Sequence, residues 1–189
     1  MAKMSAAEFE ARYVADPDPW GYTTSPYERE KYAATLAACG PGTFRSALEL
    51  GGSIGVFSQA LAPRCDSLIT LDAAPTAVSA ARTRLAGHPG VNVILGAIPA
   101  DIPRRPYDLV VASEILYYLL PSELAATLVV LRRLLIAGGR LVAVHWRPDG
   151  PERPFSAEQV HARLRGESWL MAAESEDAEE YLLDALERR

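Results

Sequence analysis

Metal ligands and disulfide partners are scarce in this chain. It has two cysteines, Cys39 and Cys65, without motif spacing, and three scattered histidines, which together make neither a zinc site nor a disulfide framework. Both cysteines read as reduced and partly buried, as in a cytosolic protein. Long apolar runs are missing too. Arg132 and Arg133 cut the longest candidate short of the roughly 18 residues that a membrane span requires. The start, Met1-Ala2-Lys3-Met4-Ser5, leads into an amphipathic helix and not into a signal-peptide core, so a cytoplasmic protein is expected. Positive charge is in deficit: 19 Lys and Arg stand against 24 Asp and Glu, a net charge of -5 with pI about 5.3. That balance argues against nucleic-acid backbones and anionic membranes as partners. What remains is 189 residues, 49% hydrophobic and 23% charged, the size and composition of one globular domain (1–189) with a sizeable core.

The chain is organised around residues 44–72. Ala47, Leu48 and Leu50 read as a short buried strand, broken by Gly51, Gly52 and Gly55, after which Val56, Phe57, Ala60 and Leu61 continue at helical spacing. Past a turn at Pro63, the run 68–71 reads as a second buried strand ending in Asp72. Strand, glycine turn, helix, strand and acid make the first βαβ unit of a nucleotide-binding α/β sheet. The glycines admit a ligand close to the backbone, and the acid can take both hydroxyls of a ribose. A dinucleotide fingerprint would need glycine at 51, 53 and 56, where the chain has Gly51, Ser53 and Val56; a phosphate loop G-x-x-x-x-G-K-[ST] appears nowhere. Acid-x-G-x-G-x-G fits better, with Glu49, Gly51 and Gly55 in place and Ser53 at the middle glycine. Taken alone, the glycines are also compatible with a mere tight turn.

The rest of the chain supplies further elements. Ser5 caps a helix through about Tyr13, with Glu8 as capping-box partner. Asp16-Pro17-Asp18-Pro19-Trp20-Gly21-Tyr22 is irregular, and Trp20 either plugs that loop against the core or forms a lid over the pocket. Ser25 and Pro26 open a helix to about Ala38, and residues 1–40 form an N-terminal helical segment. Pro75 starts a helix to about Leu85. Residues 91–95 form the third strand, 107–114 the fourth, ending in Glu114, and 140–146 the fifth. A helix over 121–136 precedes the fifth strand, and Ser156 caps another over Val160, His161 and Leu164. Ligands of such sheets lie beyond the carboxyl ends of the strands, so Gly51, Asp72, Ala97 and Glu114 share one rim. His145 also lies there, either facing the substrate or serving structure. Periodicity alone makes 177–189 a helix, since it is rich in Glu, Leu and Ala.

Motif I around Glu49, Gly51, Ser53 and Gly55 resembles that of the class I S-adenosylmethionine (SAM)-dependent methyltransferases, and Gly138-Gly139 before the fifth strand is similar. SAM has no pyrophosphate to cradle but carries an α-amino group that Glu49 can attract. Residues 18–22, 25–28, 113–118 and 144–147 resemble the NodS family, nodulation methyltransferases that N-methylate the free amine of a deacetylated chito-oligosaccharide. The resemblance implies a Rossmann-like α/β fold with a seven-stranded, mostly parallel sheet. It also implies an antiparallel C-terminal hairpin, formed by 169–173 and 181–186, in preference to a terminal helix. It implies that Trp20 and Tyr27 close over SAM, and that Glu49, Gly51, Ser53, Gly55, Asp72, Ala73 and Ser113 hold it. Many of these enzymes read adenine with an acid at the turn where this chain has Ala97, so backbone groups of Ala97 and Ile98 are expected to take that part.

Glu114, with Tyr117 and Tyr118, is expected to border the acceptor pocket. The cofactor would leave as S-adenosylhomocysteine (SAH), and the acceptor would be a small or sugar-type amine, supplied where a sugar deacetylase unmasks it. A neutral amine is the nucleophile; Glu114 or His145 could take its proton, and no base is needed if its pKa lies near neutral. Tyr118 or Trp20 could favour the sulfonium through cation–π contact. Two other readings stand beside this one: O-methylation of a small hydroxyl or carboxyl compound, and a SAM-binding partner protein without catalysis.

Overall fold

A computed structural model describes residues 3–148 and 150–189. Ser5 caps helix α1 (Ala6–Ala15) through a reciprocal capping box with Glu8. Ser25 caps α2 (Pro26–Ala38), its hydroxyl accepting from the Glu28 amide, with Pro26 in the first turn. Then come β1 (Ala47–Leu50), α3 (Val56–Leu61), β2 (Leu68–Asp72), α4 (Pro75–Arg84), β3 (Val91–Leu95) and β4 (Tyr107–Ser113). The chain closes with α5 (Pro121–Leu134), β5 (Leu135–Trp146), α6 (Ala157–Arg165), β6 (Leu170–Asp177) and β7 (Tyr181–Arg188).

The seven strands form one sheet in the order β3-β2-β1-β4-β5-β7-β6. The first five are parallel; β7 inserts antiparallel between β5 and β6. Successive residues of the central strands alternate between two cores. Leu48, Leu50, Val110, Ala112, Leu141 and Ala143 pack with Leu128 and Leu131 of α5 and Val160 and Leu164 of α6. Ala47, Leu109, Val111, Val142 and Val144 pack with Ala38 of α2 and Phe57 and Leu61 of α3. A strand covered on both faces must be apolar throughout, which is why β4 reads as a continuous run.

The C-terminal hairpin is present and its strands run longer than 169–173 and 181–186, so the helical periodicity of 177–189 is overruled. Residues 182–186 are all buried in the sheet, while β6 is an edge strand exposed from Met171 to Asp177. Two boundaries also differ. Helix α5 stops at Leu134, not Ile136, because Leu135 already pairs with Tyr107; Ala137, Gly138 and Gly139 loop out as a bulge before Arg140 meets Leu109. Strand β4 ends at Ser113, and Glu114 leaves it with φ of 55°. Among the described residues no helix is long and apolar enough to cross a membrane.

Leu131 of α5 is fully buried, whereas Val129 on the same helix is 52% exposed. Leu131→Ala should lower unfolding free energy in urea by about 2–5 kcal/mol, and Val129→Ala by less than about 0.5 kcal/mol.

Candidate active site

The strand order reverses at β1, with β2 and β3 on one side and β4, β5 and β7 on the other. The crevice between the carboxyl ends of β1 and β4 is therefore the topological switch point. A cavity of about 550 Å³ opens there, in the range of small-molecule sites. Gly51, Ser53, Asp72, Ala73, Ala97, Ile98, Ser113, Glu114, Tyr118, Trp20 and Tyr27 all line it, as expected from the sequence.

Asp72 organises the β2 side of the cavity. Its Oδ2 accepts from the Ser53 amide at 2.8 Å and its Oδ1 from the Ala74 amide at 2.9 Å. Burial raises its carboxyl pKa, and those amides oppose the rise. Ser53 occupies the left-handed region at φ 51°, where the family motif has glycine. Such a conformation costs a serine about 1–2 kcal/mol. Its hydroxyl meets the Tyr13 hydroxyl at 2.6 Å, so the departure from glycine ties α1 to the loop. At the β3 turn, the Ala97 amide donates to Asp101 Oδ2 at 2.8 Å, while the Ile98 amide has no partner among the described residues.

Three expected site residues lie elsewhere. Gly55 is absent from the cavity wall; it caps α3 at φ 80°, and a Cβ there would stand 3.2 Å from Ala81 of α4. Its glycine serves packing. Glu49 is buried behind the loop, accepting from Ser58 and lining only a small adjoining cavity with Gly51, Gly52 and Ser53. Burial pushes its carboxyl up to about 7, opposed by hydrogen bonds from Ser58 and Thr70. Gly52 makes this possible, since a Cβ there would fall 1.7 Å from Thr70 Oγ1.

His145 is the third, and its expected substrate-facing position is corrected. It is fully buried and off the cavity wall. Its Nε2 accepts from the Leu116 amide at 3.2 Å, and its Nδ1 lies 3.1 Å from His161 Nε2. These partners assign the proton to Nδ1. His161 Nδ1 in turn lies 2.7 Å from Asp184, which also accepts from Arg165 and Ser175. Burial would raise the Asp184 carboxyl, but bonds from His161, Arg165 and Ser175 hold it down to about 2. Burial, with His161 next, drives the His145 pKa well below the usual value. His145 therefore braces the backbone after Glu114 from inside.

Sequence reasoning missed a cluster on the β4–β5 side of the cavity. Lys31, 1% exposed, reaches Glu28 Oε1 at 2.9 Å and Glu114 Oε1 at 2.7 Å. Glu114 Oε2 accepts from the Tyr117 hydroxyl and from the Trp146 amide at 3.0 Å. Every Glu114 lone pair facing a donor is thus engaged, which leaves it an anchor more than a free base. Glu28 meets Lys31 from one turn earlier on the same helix, and nothing in its local sequence marks it as part of the site. Aromatic rings close the top: Phe9 packs edge-on against Tyr118 at 5.0 Å, and Tyr13 against Trp20 at 5.4 Å. Arg153 lies over the Tyr117 and Trp146 rings at 4.7 and 5.3 Å. Among the described residues no cluster suits a metal ion.

This is the fold of a class I SAM-dependent methyltransferase, with a carboxylate at the β2 tip and a glycine loop bordering the crevice. The family model for nodulation protein S (NodS) matches residues 4–149. Nodulation protein S of Rhizobium tropici is 32% identical over 133 residues, covering 69% of this chain and 56% of that protein. That of Bradyrhizobium diazoefficiens is 35% identical over 109 residues, covering 57% and 52%. The crystal structure of N-methyltransferase NodS from Bradyrhizobium japonicum WM9 with SAH superposes with a TM-score of 0.87 at 26% identity, covering 98% of this chain and 99% of that one. The chain belongs to the NodS family. It spans about half the length of the curated relatives it matches.

Two outcomes follow from the buried groups. His145→Phe strands the Leu116 amide and His161 Nε2, and should cost on the order of 2–4 kcal/mol in chemical denaturation; a substrate-facing histidine would leave the unfolding midpoint unchanged. Glu49, held protonated in the fold, contributes stability that is complete below pH about 4.5 and is lost as pH rises through about 7. Glu49→Gln should therefore flatten the decline in stability between pH 5 and 8, by up to about 3 kcal/mol at the upper end.

Proposed function

We propose that this chain transfers a methyl group from SAM to the nitrogen of a small-molecule amine, of the aminosugar type, releasing SAH. The observation that carries the reading is the division of the cavity. Asp72, Ala73 and Ile98 stand at the tips of β2 and β3, Gly51 and Ser53 at β1, and an acidic, aromatic half at β4 and β5 holds Glu28, Glu114, Tyr118 and Trp146. The first half suits a nucleoside, with Asp72 taking the ribose hydroxyls. The second suits a cation bearing apolar or ring surface. The Bradyrhizobium japonicum relative is an N-methyltransferase, which supports nitrogen as the atom modified.

SAM supplies a methyl group already activated on a sulfonium. The protein's own part is to bind, orient and exclude water, and orientation can be worth about 7–11 kcal/mol. Ser53, held by Asp72 and Tyr13, and Gly51 shape the loop side. Helix α1 with Phe9, Tyr13 and Trp20 acts as a lid that shuts out water. Glu114, fixed by Lys31, Tyr117 and the Trp146 amide, sets a stationary negative charge beside the acceptor. An amine with a pKa near neutral is partly unprotonated without a dedicated base. An enzyme that deacetylates an N-acetylated sugar is the class of reaction that supplies such an acceptor. The free thiols of Cys39 and Cys65 suit a reducing cytoplasm.

Calorimetric titration with SAM and SAH should give micromolar binding of both, and SAM should be consumed only when an amine is present. Binding without turnover on any amine would leave a cofactor-binding partner protein as the better reading. Asp72→Asn should weaken SAH by roughly 10- to 100-fold, the loss of one or two charged hydrogen bonds, with unfolding free energy within about 1 kcal/mol of wild type.

A further inference from the structure

The Lys31 cluster is incomplete. Two carboxylates, Glu28 and Glu114, share one ammonium, so the buried group has one carboxylate more than it has cations. Lys31 is one of only two lysines in the chain, the other being Lys3. Glu114 fills both its oxygens, from Lys31 on one side and from Tyr117 and the Trp146 amide on the other. Glu28 does not: Oε1 meets Lys31, and Oε2 is buried without a hydrogen-bond partner among the described residues. The neighbouring Tyr27 hydroxyl is likewise buried and unpartnered. An unmet buried acceptor is costly, more so when charged, and native folds rarely contain one. Glu28 and Tyr27 both line the cavity, and Glu28 is only 7% exposed.

The position of this gap decides its ligand. Lys31 joins the end of β4 through Glu114, whose Oε2 reaches the end of β5, and the Tyr27 ring meets Tyr181 at the start of β7 at 6.4 Å. The cluster therefore borders the β4-β5-β7 half, away from Asp72 and the β3 turn. What it lacks is a positive group that donates N–H bonds. We infer that Glu28 Oε2 binds the acceptor's primary ammonium and so completes the Lys31 cluster. This rests on the amine-methylating reading above and adds the residue that recognises the amine. Burial raises the Glu28 carboxyl, opposed by Lys31 on the same helix and reinforced by Glu114 after β4 and Asp18 before α2. A bound ammonium offsets that cost.

The cofactor's own α-ammonium has the same chemistry, so the experiment separates the two. SAH-saturated wild type and Glu28→Gln are titrated with glucosamine, with the sugar-free amine ethanolamine and with N-acetylglucosamine, which has no basic amine; SAH affinity is measured separately. Glu28→Gln should weaken both amines at least tenfold, leave N-acetylglucosamine unaffected and keep SAH within twofold of wild type, which also shows that the variant folds. A tenfold loss of SAH affinity would assign Glu28 to the cofactor, and unchanged amine affinity, or no amine binding by wild type, would remove the site altogether. Glu28-dependent binding of ethanolamine without glucosamine would keep the ammonium site and overturn the aminosugar reading. Should Glu28→Gln fail to fold, Glu28→Asp keeps the charge but shortens its reach, and the same selective loss of amine affinity is expected.

Discussion

The corner at Glu114 is the point on which the crevice depends. Strand β4 runs through the centre of the sheet and must turn sharply at its carboxyl end to leave the switch point open. It does so with Glu114 at φ 55°, a conformation that a side chain adopts only when its surroundings enforce it. The enforcement comes from two directions. On the cavity side Lys31, the Tyr117 hydroxyl and the Trp146 amide hold the carboxylate. On the core side His145 receives the Leu116 amide and is itself set by His161, Asp184 and Arg165. Strands β5 and β7 and helices α2 and α6 thus all converge on three residues of backbone.

The loop after β1 shows the same economy on the cofactor side. Asp72 accepts the Ser53 amide, and the Ser53 hydroxyl meets Tyr13, so a carboxylate on β2, a loop and the first helix are linked through one serine. Where motif I of the class I methyltransferases has glycine, this chain accepts a strained serine and gains a tie to the aromatic roof. Gly52 and Gly55 act on packing, one against Thr70 and Glu49, the other against α4. The glycine motif is therefore as much a statement about how tightly β1, β2 and α4 approach as about the ligand.

How much of this was legible follows from the range of each interaction. The Ser5 and Ser25 caps were readable because a cap involves residues three apart. Central strands were readable because burial on both faces leaves no polar position, and Asp72 because it closes such a run. The tail was not readable from periodicity, because β7 is defined by its place between β5 and β6, not by its own composition. Nor was the end of α5, since the pairing of Leu135 with Tyr107 stops the helix before its own residues would. Glu28 was hidden because its contacts with Lys31 and the cavity appear only once α2 packs against the sheet, and His145 by a strand-end position that fits both a catalytic and an internal role.

The sequence by itself determined the strand and helix alternation, the motif I turn, the acid at β2 and hence the methyltransferase class, because each is written in hydrophobic period and local backbone chemistry. Only the tertiary structure decided that His145 points inward, that Glu49 and Gly55 stand behind the site, and that Lys31 is shared by Glu28, three residues away, and Glu114, 83 residues away. Those outcomes depend on which atoms meet across the sheet, and such meetings leave no period in the chain.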